Sequence, residues 1–215
     1  MPVEVKICGL STPETVDAAV EAGADLIGLV FFPKSPRNVT IPQAAQLASR
    51  ARGKAKVVAL VVDADDALLS DIASTVQPDL IQAHGGETPE RVAEIARLTG
   101  KPVIKAIRVK DDADIASAAQ FSEAASLILY DAKAPETLGS ALPGGNGHAF
   151  DWGLLEGEKR PAFMLAGGLT PANVAEAIRV TGAPVVDVSS GVESAPGVKD
   201  IGLIRKFIEA AKSAR

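Results

Sequence analysis

The only cysteine of the chain, Cys8, closes the apolar run VEVKIC and is followed at once by glycine. A lone thiol there has two readings. Free cysteine behaves as a small hydrophobe and is often simply buried; where its thiolate can form, it is a nucleophile or a base. Asp131 follows another apolar run, SLILY. A carboxyl in a partly desolvated mouth can keep its proton and act as a general acid. An N-cap, or an ion pair with Lys133, would make it structural instead. Two glycine-bearing stretches, LAGGLTPAN and VDVSSGVE, follow two further apolar runs. Gly167, Gly168 and Gly191 would turn backbone N–H groups toward a phosphate, as at helix starts. Tight turning is the plainer reading of one such loop; two in succession favour an anion. Arg37 in FPKSPRN could grip a carboxylate with two parallel bonds, or be a solvated loop charge. His84 in QAHGG, close to Gln82, reads as a ligand contact or as a supporting strand-end histidine satisfied by backbone. Asp187, inside VVDVSS, needs a partner if buried, so it faces a ligand or joins a core ion pair. Two separated histidines and one cysteine do not make a metal site.

These residues need elements to bring them together. Eight short apolar runs recur: 3–7, 25–32, 56–62, 78–83, 102–107, 126–130, 162–166 and 184–188. They are rich in Val, Ile and Leu, as parallel strands buried on both faces are. Helical spacing fills the intervals. Leu68, Ile72 and Val76 follow i, i+4, i+8; Val92, Ile95 and Ala96, then Val174, Ala177 and Ile178, follow i, i+3, i+4; Ile201, Ile204 and Ile208 repeat the pattern at the end. Thr12–Pro13, Thr88–Pro89 and Thr170–Pro171 read as N-caps followed by a first helical proline. Gly100 and Gly182 stand where helices end. Eight such units predict a single (β/α)8 barrel over residues 1–215, with a doubly wound open sheet as the rival. In a barrel the C-terminal strand ends carry the chemistry. They deliver Cys8, then Lys34 and Arg37, Asp63, Gln82 and His84, Arg108, Asp131 and the two glycine stretches. The segment 132–150 holds two prolines and four glycines and reads as a long loop, expected to close over a ligand. His148 would be exposed on it, and Phe150 and Trp152 would pack its end.

Of the 215 residues, 47% are hydrophobic and 23% charged, the balance of a soluble globular protein. The net charge of −5 and the lack of a dense basic patch argue against nucleic-acid binding. No apolar run approaches the roughly 18 residues of a membrane span, and MPVEVKICG lacks the pattern of a signal peptide. A single cysteine cannot form an internal disulfide, which suits a reducing compartment. The expectation is a cytoplasmic protein that binds a small phosphorylated molecule.

The motifs VKICGL, GLVFFPKSPRNV, YDAK…PGGNGHAFDW, LAGGLTPANVAEAI and VDVSSGVESAPGVKD occur in that order and span almost the whole chain. Together they closely resemble the phosphoribosylanthranilate isomerases of tryptophan biosynthesis. The resemblance implies a (β/α)8 barrel, no cofactor, and an Amadori rearrangement of N-(5-phosphoribosyl)anthranilate to 1-(2-carboxyphenylamino)-1-deoxyribulose 5-phosphate. It implies Cys8 as general base, Asp131 as general acid, and Arg37 near the anthranilate carboxylate. Gly167, Gly168, Ser190 and Gly191 would hold the phosphate; Gln82, His84 and Asp187 would meet the substrate. A monomer is expected, a dimer being the alternative. The strand-four stretch IQAHGGE departs from the family pattern at Ala83 and Gly86, while Gln82, His84 and Glu87 are in place. Two other readings keep the motifs: another sugar-phosphate isomerase, which would carry an acid where Cys8 stands, and a non-catalytic phosphate sensor.

Overall fold

The computed structural model describes residues 2–132, 151–155 and 162–214. Eight parallel strands close into a barrel in sequence order, β8 returning to β1. They are β1 (Glu4–Cys8), β2 (Leu26–Phe31), β3 (Lys56–Val61), β4 (Leu80–Ala83), β5 (Val103–Val109), β6 (Leu127–Ala132), β7 (Phe163–Leu165) and β8 (Val185–Val188). Every apolar run of the sequence contributes one strand. Closure decides between the two architectures: Lys6 pairs with Leu26 on one side and with Asp187 on the other.

The helices are α1 (Pro13–Glu21), α2 (Ile41–Ala51), α3 (Asp66–Asp71), α4 (Pro89–Thr99), α5 (Asp112–Ser117), α6 (Val174–Thr181) and α7 (Ile201–Lys212). Thr12 and Thr88 cap α1 and α4 through their side chains, each accepting a backbone N–H at 3.3 Å, with proline at the first turn. α4 and α6 end on left-handed Gly100 and Gly182. The third expected proline start is corrected. α6 begins at Val174, not Pro171, because the Asn173 side chain ties the preceding turn: it accepts from the Thr170 N–H at 2.7 Å and donates to the Gly168 carbonyl at 3.0 Å. α3 runs into a wider π turn, Ile72–Val76, that keeps Ile72 and Val76 buried. A two-stranded hairpin, β9 (Glu193–Ala195) and β10 (Val198–Lys199), separates β8 from α7.

Alternation along each strand sorts the core into two bodies. Outward residues such as Val5, Ile7, Ile27, Leu29, Ile81 and Val186 pack under the helices in the main cluster. Inward residues Leu26, Val58, Ile104, Leu129 and Met164 fill the barrel. The inward series continues up each strand to Cys8 on β1, Val30 on β2, Leu60 on β3 and Asp131 on β6. Residues 133–150, with His148 and Phe150, lie outside the described residues. Trp152 sits half-buried in a short 3₁₀ turn, Trp152–Leu155, against the main cluster. Among the described residues no helix is long and apolar enough to cross a membrane.

Candidate active site

Two apolar positions of β1 face the helices, and two polar ones, Lys6 and Cys8, face the interior. Cys8 ends the strand at the barrel mouth, 3% exposed. Val30 and Leu60 pack against it with Phe32 and Val62 beside them, an apolar shelf on the β2–β3 side. Burial pushes the Cys8 thiol up. The ammonium groups of Lys6 and Lys199 act to lower it and the Asp187 carboxylate adds to the rise; the net direction is upward.

Across the barrel, Asp131 points inward from β6. His84 Nε2 lies 3.1 Å from Asp131 Oδ2, and His84 Nδ1 lies 2.8 Å from Gln82 Nε2. The ring is therefore held at both nitrogens, by the Gln82 amide at Nδ1 and by the Asp131 carboxyl at Nε2. All three side chains are at least nine-tenths buried. Among the described residues, Gln82 Oε1 is buried without a partner.

The two glycine stretches meet on the β7–β8 side. Gly191 packs so tightly on the neighbouring loop that a Cβ there would stand 1.8 Å from the Leu169 carbonyl oxygen. The loops therefore form one cradle. Among the described residues, the N–H groups of Gly167, Gly168, Ser190 and Gly191 take no partner, and all four residues line the same pocket as Cys8, Arg37, His84, Asp131 and Asp187. That pocket opens at the C-terminal strand ends.

Arg37 is buried, not a solvated loop charge. Its Nε and Nη2 bind Glu193 Oε1 and Oε2 at 2.7 and 2.8 Å. Glu193 also accepts from Lys199 Nζ at 2.6 Å, and Lys199 donates to the Ser189 carbonyl at 2.9 Å. These contacts hold Glu193 below the ordinary carboxylate value, although burial acts to raise it. Asp187 combines both of its sequence readings. It lines the pocket and forms an ion pair with Lys6, Nζ to Oδ1 2.9 Å.

Three rim candidates stay out of the pocket. Lys34, Asp63 and Arg108 are exposed. Asp63 instead holds the β4 loop: its Oδ1 accepts the Gly86 N–H at 2.7 Å. Beneath that loop, Glu87 accepts from the Asp63 and Gly85 N–H groups and from buried Lys105, Nζ to Oε2 2.7 Å. The departures at Ala83 and Gly86 therefore leave the pocket untouched. Ala83 faces the helix layer and Gly86 is an exposed loop residue. Lys6, Glu193 and Lys199 received no role from the sequence. Lys6 was within reach, since it precedes Cys8 by two and so shares its strand face. Glu193 and Lys199 find Arg37 only through long-range closure. Among the described residues, no group of three His, Cys, Asp or Glu could hold a metal ion.

Comparison with known proteins agrees with this geometry. Residues 5–210 match the family model of N-(5'-phosphoribosyl)anthranilate (PRA) isomerase. The isomerase of Paramagnetospirillum magneticum is 55% identical, with all of both chains covered, and that of Rhodopseudomonas palustris strain BisA53 is 56% identical over 99% of this chain and 97% of its own. The crystal structure of the Thermotoga maritima phosphoribosyl anthranilate isomerase superposes with a TM-score of 0.87 at 38% identity, covering 98% of each chain. A phosphoribosyl anthranilate isomerase in complex with reduced 1-(o-carboxyphenylamino)-1-deoxyribulose 5-phosphate gives 0.83 at 36% identity, again covering 98% of each chain. With the cradle, the thiol and the buried carboxyl on one barrel mouth, the chain belongs to the N-(5'-phosphoribosyl)anthranilate isomerase family.

Proposed function

We propose that Cys8 is the general base and Asp131 the general acid of the rearrangement this family performs on N-(5'-phosphoribosyl)anthranilate. The observation that carries the assignment is that the two groups stand on opposite walls of one pocket, β1 and β6, each pointing inward. The pocket suits a molecule with three chemically distinct parts. The amides of Gly167, Gly168, Ser190 and Gly191 suit the phosphate. The shelf of Val30, Phe32, Leu60 and Val62 suits an aromatic ring. Arg37, with Nε and Nη2 held by Glu193, offers Nη1 as a donor to a carboxylate on that ring.

The reaction then needs two proton transfers. Asp131 protonates the ribose ring oxygen; the C1′–O bond breaks and the nitrogen lone pair forms the C1′=N bond of a Schiff base. His84 Nε2 lies against Oδ2 of Asp131, which leaves Oδ1 to carry the transferred proton. Cys8 next removes the C2′ proton; the C–H electron pair becomes the C1′=C2′ bond of an enolamine and the C1′=N π pair returns to the nitrogen. Tautomerisation to the ketone completes an isomerisation with no net gain or loss of protons. Gln82 and His84 act as positioning residues for the acid, and Asp187 reaches the sugar from below.

Turnover of Cys8→Ala and Asp131→Asn tests the assignment. Each is expected to lose about 10²–10⁴-fold in kcat with the folded structure intact by circular dichroism. A variant that turns over at the wild-type rate removes the role assigned to its residue. The chain is read as cytoplasmic, its enzyme class acting on a soluble metabolite. A crystal structure of the Thermotoga maritima enzyme is described as one of monomers generated from a dimeric form; a monomer is the reading for this chain, and its sedimentation decides.

A further inference from the structure

A lysine inside a barrel is costly. Lys6 is fully buried, and the inward residue beside it in register on β2 is apolar Leu26. An ammonium taken out of water needs a counter-charge, and even then an apolar pair often serves stability equally well. Asp187, in register on β8, supplies the counter-charge at 2.9 Å. Stability alone does not account for a charged pair in this layer.

Gly28, in register with Cys8 on β2, indicates what the pair faces. A Cβ at this glycine would stand 2.7 Å from the Cys8 sulfur and 3.1 Å from Lys6 Nζ. Sulfur and ammonium thus converge on one point above bare backbone, and any side chain at position 28 would occupy the space between them.

We infer that Lys6 is a positioning residue for catalysis: its ammonium, fixed by Asp187, is the counter-charge beside which Cys8 becomes a thiolate. The inference rests on the reading of Cys8 as the base. Cys8 loses its proton to solvent at the pocket mouth, and the thiolate is then stabilised across the Gly28 gap. When the C2′–H bond breaks, S–H forms and Lys6 keeps all its protons. Burial would lower the Lys6 value, but Asp187 and Cys8 outweigh it and the net direction is up, which favours the charged ammonium. The other charged groups around Cys8 are Asp187 on β8 and Lys199 on β10, with Arg37, His84 and Asp131 lining the same pocket. Lys199 is engaged by Glu193 and Ser189, which leaves Lys6 as the cation that shares the Gly28 gap with the sulfur.

Because the chain has one cysteine, the ultraviolet absorbance of its thiolate can be followed against pH without ligand, with Cys8→Ala as the blank. In Lys6→Met the thiol midpoint is expected to rise by about one pH unit or more. The acid limb of kcat/KM should rise with it, while KM changes little. An unmoved midpoint in folded Lys6→Met overturns the inference. If Lys6→Met does not fold, carbon-13 titration of the wild-type chain decides. Lys6 Cε is expected to report an ammonium throughout the Cys8 transition, and loss of its proton below that transition overturns the inference. Turnover of Cys8→Ala tests the base itself, so the two readings can fail separately.

Discussion

Among the described residues, two lysines on strands of the barrel are buried, and they do opposite things. Lys6 points inward from β1 to Asp187; Lys105 points outward from β5 to Glu87. Around Lys105 the bonding is full. Its ammonium also donates to the Gly85 carbonyl at 2.9 Å and lies 5.7 Å from the centre of the Phe121 ring, and Glu87 collects the Asp63 and Gly85 amides. Such a network rigidifies the loop that presents His84, and takes no part in the chemistry. Lys6 has one strong partner and an open flank beside a thiol. A buried charge with saturated partners is structure; a buried charge with spare valence next to a reactive atom is a candidate for function.

Four measurements test this difference. Glu87→Gln leaves Lys105 buried without its counter-charge, and chemical denaturation should show a loss of about 3–5 kcal/mol. Its kcat per folded molecule should fall far less than that of Cys8→Ala; an equal fall would move the Lys105 pair into the chemistry. Next comes Gly191→Ala. The added methyl must displace the Leu169 carbonyl, at a cost of about 1–3 kcal/mol, and it spoils the phosphate cradle, so KM should rise more than kcat falls. The third is a pH effect. Burial acts to raise Glu87, but Lys105 and the backbone amides outweigh it and hold the group below its ordinary 4.5. Its contribution to stability is therefore fully present above pH 4.5 and is lost as pH falls through the lower folded value. The gap in stability between wild type and Glu87→Gln should narrow in acid over that window; a constant gap would mean that Glu87 is not held ionised. Smallest of all is Asp17→Asn, which removes the exposed partner of Arg50. Surface pairs of this kind contribute little, and no measurable change in Tm is expected.

Much of this was legible in the chain of letters because it is local. A strand is written in its apolar run, and a helix start in Thr12–Pro13 or Thr88–Pro89. Cys8, Asp131 and the glycine stretches could be placed at the mouth because barrel topology fixes which strand end is which. Thr170–Pro171 misled, since the side chain of Asn173, three residues on, claims the turn. Arg37 stood open between a carboxylate grip and a solvated charge. Nothing near it in sequence predicts burial; its partner Glu193 is 156 residues away. Asp187 could be read only as ligand-facing or paired, because the choice depended on what β1 places beside β8. Parity would have put Lys6 on the face of Cys8, yet the charge of a strand lysine is ordinarily read as solvent-facing.

The Lys6–Asp187 bond joins residues 181 apart, at the seam where the last strand meets the first. A chain that has formed β1 through β7 still holds an ammonium in an apolar interior with no anion to meet it, and that charge favours keeping the first strand in water. Docking of β8 removes the penalty and completes the surroundings of the sulfur in one event. Folding intermediates short of closure would therefore carry a thiol with ordinary solution reactivity, and the change in that reactivity would mark the moment the ring of strands shuts.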